Sequence, residues 1–116
     1  MVADSLMIYR KPLVHLLAKL GFSQINEVEN GTEALILLKS EPHHALICSA
    51  HLKNPDGLSL LKRIRENPEF GALKVMMYFE DKDDEAIVSA TRAGLDVYFM
   101  VPFEEENIKE KFENQF

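Results

Sequence analysis

The side chains able to do chemistry are few and thinly spread. Ser49 and His51 stand two residues apart, so on an extended segment a hydroxyl and an imidazole would share one face. A serine hydroxyl is a weak nucleophile at neutral pH until a base takes its proton, and His51 is the nearest base. The plainer reading of His51 is a polar loop residue. His15, His43, His44 and His51 supply imidazoles, but none pairs with a Cys or carboxylate at helical or turn spacing, as a zinc site requires. Glu80, Asp81, Asp83, Asp84 and Glu85 form a dense run of carboxylates without the glycine-punctuated pattern of a calcium loop, and read as a solvated loop opening a helix. Asn30, Gly31 and Thr32 make a turn and helix start with no phosphate-loop motif.

The bulk properties narrow the partners. A chain of 116 residues that is 47% apolar makes one domain, residues 1–116, with a real core and no general disorder. A net charge of −6 argues against nucleic acid, whose binders carry a basic stripe, and against anionic membrane surfaces. No apolar run approaches a membrane span, and residues 1–3 do not open a secretory leader. The single Cys48 has no internal partner for a disulfide, which suits a reducing compartment and makes the cytoplasm the expected location.

The elements that would position these side chains follow from periodicity. Residues 45–48, 75–79 and 97–101 are continuous apolar runs, as strands covered on both faces are. Residues 23–28 alternate, as a half-exposed strand does. A first strand is expected at residues 1–3, with residues 6–9 as the alternative. That choice decides whether Pro12 falls inside the first helix, where it should kink the chain, or in its first turn, where proline fits. Leu13, Leu16, Leu17 and Leu20 mark this helix, stopped at Gly21. Ala34, Leu35 and Leu38 mark a second, and Leu58, Leu61 and Ile64 a third that Asp56 caps. Ala86, Ile87 and Ala90 mark a fourth, ending near Gly94. Ile108, Phe112 and Phe116 mark a fifth, whose opening residues 104–106 are all Glu, as a positive helix N-terminus favours. Alternating strands and helices imply a parallel sheet with right-handed crossovers and helices on both faces.

Several segments, in order and without large gaps, carry a resemblance. They are residues 20–22 (Leu-Gly-Phe), 29–35 (Glu-Asn-Gly-Thr-Glu-Ala-Leu), 56–65 (Asp-Gly-Leu-Ser-Leu-Leu-Lys-Arg-Ile-Arg), 75–77 (Val-Met-Met), 93–98 (Ala-Gly-Leu-Asp-Val-Tyr) and 101–103 (Val-Pro-Phe). On these the whole chain resembles the receiver domain of bacterial response regulators. The resemblance implies a flavodoxin-like, doubly wound sheet of five parallel strands in the order 2-1-3-4-5, with its site beyond the strand C-termini at the topological switch point. Counting back from Gly21 places Asp4 and Ser5 at the family's acidic pair, which favours the early first strand.

The family's chemistry is phosphoryl transfer to an aspartate, with Mg²⁺ held by neighbouring carboxylates. By resemblance the acceptor position here is Ser49, the second acidic position is Ser5, the switch hydroxyl is Phe79 and the lysine is Val101. One remaining carboxylate, Asp4, should hold Mg²⁺ weakly or not at all. Ser49, Phe79 and Val101 are expected to converge on one small, dry hollow. The resemblance also implies a cis bond before Pro102, and Pro55 sits two residues later than the family's usual proline, so that loop is expected to be reshaped. Tyr98 holds the switch aromatic's position and is expected in one rotamer, outward.

These residues point to a degenerate receiver in two-component signalling, with no catalytic or metal site intact. It would act by binding other signalling proteins, with a homodimer compatible with the same face. That face would be the fourth helix, fifth strand and fifth helix, including Arg92, Asp96, Tyr98, Asn107 and Lys111. The alternatives are a small-ligand sensor at the strand C-termini and a residual phosphoacceptor at Ser49.

Overall fold

The continuous apolar runs become the inner strands of one parallel sheet in the computed structural model, which describes residues 1–116. The strands are β1 (Val2–Ala3), β2 (Glu27–Val28), β3 (Ala45–Ser49), β4 (Lys74–Phe79) and β5 (Val97–Met100). They pair in the order β2-β1-β3-β4-β5, all parallel. The helices are α1 (Met7–Lys19), α2 (Gly31–Ser40), α3 (Gly57–Glu66), α4 (Asp84–Arg92) and α5 (Glu105–Glu113), with a short 3₁₀ turn at Pro68–Phe70.

The Asp56 cap read from sequence has the geometry expected of it. The Asp56 carboxylate accepts from the Ser59 N–H at 2.7 Å, and Asn30 and Asp83 cap α2 and α4 in the same way. Gly21 and Gly94 lie at φ +105° and +104°, in the region that a side chain disfavours, immediately beyond α1 and α4.

One open choice is settled and two expectations need correction. Residues 6–9 do not form a strand: α1 begins at Met7, and β1 is the early segment, as short as its sequence suggested. Its pairing reaches one residue further on each side, because Ile47 donates to the Met1 carbonyl and the Asp4 N–H donates to the Val28 carbonyl. Pro12 therefore lies inside α1, where the Ile8 carbonyl loses its partner. Ile8 is 73% exposed, so water can serve that carbonyl instead. The alternating segment 23–28 is a strand only at Glu27–Val28, since its partner β1 offers just two paired residues. The fifth helix ends at Glu113, and Phe116 lies beyond it, set edge-on against Phe22 and Phe112.

Alternation along the strands divides the core in two. Val75, Met77 and Phe79 of β4 belong with Leu46, Cys48 and the apolar faces of α2, α3 and α4. Met76 and Tyr78 belong with Val2, Ile47 and Phe99 and with the α1 and α5 residues Leu13, Leu17, Ile108 and Phe112.

Candidate functional site

Every residue singled out at the strand ends lies along the carboxyl edge of the sheet. Asp4 directly follows β1, Ser49 and Phe79 end β3 and β4, and Val101 directly follows β5. The register puts Ala3 beside Cys48 and Ser49 beside Tyr78, and the Val101 N–H donates to the Phe79 carbonyl at 3.1 Å. Helix α3 approaches this edge closely: a Cβ on Gly57 would sit 2.7 Å from the Ser49 carbonyl oxygen. The loop between β3 and α3 folds over the start of α2. Gly31 and Thr32 donate backbone N–H groups to the Lys53 and Asn54 carbonyls at 3.0 and 2.7 Å. The Asn54–Pro55 and Val101–Pro102 bonds are both cis.

The side chains do not share the single hollow expected of them. Phe79 is buried in the core beneath α2–α4, whereas Val101 packs against the core beneath α1 and α5. Phe79 and Val101 are thus taken up by different cores. A surface hollow of about 560 Å³ lies instead at the amino edge of the sheet, lined by Leu38, His43, Phe70 and Leu73 among others. No three His, Cys, Asp or Glu side chains are grouped as metal ligands.

Ser49 is buried, and its Oγ accepts from the His51 backbone N–H at 3.1 Å. The two residues thus meet through the main chain, and the His51 ring takes no part in that bond. His51 and Ser5 are exposed.

Asp4 is the buried carboxylate of this edge, and both its oxygens are engaged. Oδ1 accepts from the Leu6 N–H at 3.0 Å. Oδ2 accepts from the Tyr78 hydroxyl at 2.6 Å, 74 residues away in sequence. The Arg10 guanidinium, also buried, donates through Nη1 to the Asp4 carbonyl at 2.6 Å and through Nε to Glu27 Oε1 at 3.0 Å. Burial, and then the bond to Asp4 and its charge, push the Tyr78 phenol far above its usual range. Burial, and then the Asp4 charge, push the Cys48 thiol up to about 12, which keeps it unreactive. Burial works to raise the Glu27 carboxyl, but hydrogen bonds from Lys11 and Arg10, with their charges, outweigh it and hold the group below its ordinary value.

These residues do not fit the family's Mg²⁺. A hard cation of that size needs several free oxygens. Here each oxygen of the one carboxylate already accepts a donor, Ser49 Oγ already accepts an N–H, and a guanidinium donates to the Asp4 main-chain carbonyl.

Sequence reasoning missed Tyr78, which it placed within an apolar strand, and Arg10, which it did not single out. Each carried a signal. A buried tyrosine hydroxyl seeks a partner, and Tyr78 interrupts an otherwise apolar run. Arg10 sits three residues before Leu13 on the buried stripe of α1.

On the α4–β5–α5 face, Tyr98 is 37% exposed. The Phe79 ring stands edge-on 6.1 Å behind it, and Lys111 Nζ lies 4.9 Å above it while donating to the Tyr98 carbonyl. Arg92 is exposed and Asn107 half-buried. Asp96 does a different job from its neighbours. Its Oδ2 accepts from Arg65 Nη2 at 2.7 Å and from the Val75 N–H at 2.8 Å. Arg65 also donates to the Gly94 and Leu73 carbonyls, so the pair clasps the end of α3 to the turns that open β4 and β5.

A five-stranded parallel sheet in 2-1-3-4-5 order with helices on both faces defines a flavodoxin-like, doubly wound architecture. The chain matches the response regulator receiver domain family over residues 1–113 and belongs to it. It is 30% identical to the chemotaxis protein CheY-3 of Vibrio cholerae serotype O1 over 116 residues, all of this chain and 89% of that protein. It is 29% identical to the chemotaxis protein CheY of Pseudomonas aeruginosa, again over the whole chain and 94% of that protein. The high-resolution structure of the chemotaxis response regulator CheY4 of Vibrio cholerae superposes with a TM-score of 0.89 at 16% identity, covering 99% of this chain and 95% of that one, a likeness of fold. The protein is therefore a receiver domain of two-component signalling, and no helix in it is long and apolar enough to cross a membrane.

Proposed function

We propose that this receiver accepts no phosphoryl group, catalyses no reaction and acts through protein contacts alone. The observation that carries this reading is the state of Asp4: its two carboxylate oxygens already accept from Leu6 and Tyr78, beside an acceptor position that is Ser49. A phosphoryl group placed there would meet neither a carboxylate nucleophile, nor a free metal ligand, nor a lysine at Val101. Signal transfer then rests on the α4–β5–α5 face, where Arg92, Tyr98, Asn107 and Lys111 are the candidate contacts for another signalling protein or a second copy of the chain. The −6 net charge supports a protein partner over nucleic acid or an anionic membrane, and the lone buried Cys48 supports a cytoplasmic setting.

Incubation with acetyl phosphate and Mg²⁺, followed by intact mass, tests the reading. We expect no change in mass. A gain of one phosphoryl group would overturn it, and loss of that gain in Ser49→Ala would identify Ser49 as the acceptor.

A further inference from the structure

We infer that Tyr78 and Arg10 form a built-in plug in the cation position, so that divalent ions are kept out by occupancy and not only by missing carboxylates. This rests on the reading of the Asp4 edge as a former metal position, and it adds a cause that the lost aspartates do not supply.

Two groups deliver the plug, from separate elements. Tyr78 comes up from β4, stacked on Phe99 at 5.7 Å and set edge-on to Phe103 at 5.1 Å. Those rings fix its direction, and its hydroxyl then reaches Asp4 Oδ2, one of the two oxygens a cation would need. Arg10 arrives from α1 and is held by Glu27 through Nε, with Glu29 3.8 Å from Nη2, while its Nη1 meets the Asp4 carbonyl. A fixed positive charge therefore already touches the main chain of the one buried acidic residue, where it repels a second cation. Loss of the hydroxyl would leave Asp4 Oδ2, a buried acceptor, without its donor. Restoring the two missing aspartates would therefore not restore the site.

The test compares Ser5→Asp/Ser49→Asp with Ser5→Asp/Ser49→Asp/Tyr78→Phe. The probe is Mn²⁺ alone, read by paramagnetic broadening of the Leu6 and Ala50 amide resonances and by the melting temperature. The double variant is expected to bind Mn²⁺ no better than the natural chain, and the triple variant at least about tenfold tighter than the double. Tight Mn²⁺ binding by the double variant would overturn the plug, as would equal, weak binding by both. Should the triple variant fail to fold, Arg10→Gln in the double background takes its place. It is expected to bind Mn²⁺ several-fold tighter than the double, and unchanged binding overturns the inference. Failure here leaves the unphosphorylated reading of the natural chain standing, because that reading falls only to a mass gain with acetyl phosphate.

Discussion

The two faces of the sheet solve the same problem in opposite ways. Beneath α2, α3 and α4 the core is aliphatic apart from its phenylalanines, and Phe79 is simply added to it. Beneath α1 and α5 the core is aromatic, built on Tyr78, Phe99 and Phe112, and it closes over buried Asp4 and Arg10. Phe79 and Tyr78 are neighbours in β4, yet one contributes only bulk to its core and the other a directed hydrogen bond. Bulk needs only volume and is non-directional. A buried hydroxyl needs an acceptor in a fixed place, so the α1–α5 face demands coordination between residues far apart in sequence.

Three measurements would break or sharpen that contrast. Phe79→Ala should have the largest effect, a loss of about 3–5 kcal/mol in urea unfolding, because it empties space in the aliphatic core. A much smaller loss would mean that this core collapses around the gap and that the face is less tightly filled than the other. Tyr78→Phe keeps the ring but leaves Asp4 Oδ2 without its donor, and should cost about 1–3 kcal/mol. Equal stability to the natural chain would show that water replaces the hydroxyl and that the face is not specified by that bond. The smallest effect concerns pH. Because the folded Glu27 carboxyl is held below its ordinary value, it stabilises the fold fully above about pH 4.3. That contribution is lost as pH falls through the lower, folded value. Glu27→Gln should therefore flatten the acid-side decline in melting temperature, while changing stability at pH 7 by less than about 1 kcal/mol. An unchanged acid limb would remove the Arg10–Glu27 pair from the account.

The same contrast explains what could be read in the chain beforehand. Strands β3, β4 and β5 were legible within a residue or two because buried parallel strands are continuous apolar runs. The helix starts were legible because Asn30, Asp56 and Asp83 bond within three residues of themselves. Residues 23–26 were misread because alternation marks a half-buried segment whether or not a neighbour strand is long enough to pair with it. The strand-end positions of Ser49, Phe79 and Val101 followed from the resemblance to receiver domains. The core that each apolar side chain would join did not, since that depends on where the strand stops and the loop turns. The Tyr78–Asp4 bond spans 74 residues, and no local pattern announces it.

The Arg65–Asp96 clasp has a mechanical consequence. One guanidinium bolts the tail of α3 to the Gly94 turn at the far end of α4. The acidic head of that helix, by contrast, emerges from the exposed segment 80–83. Helix α4 is thus tethered at its Gly94 end, while its acidic head is left open to solvent.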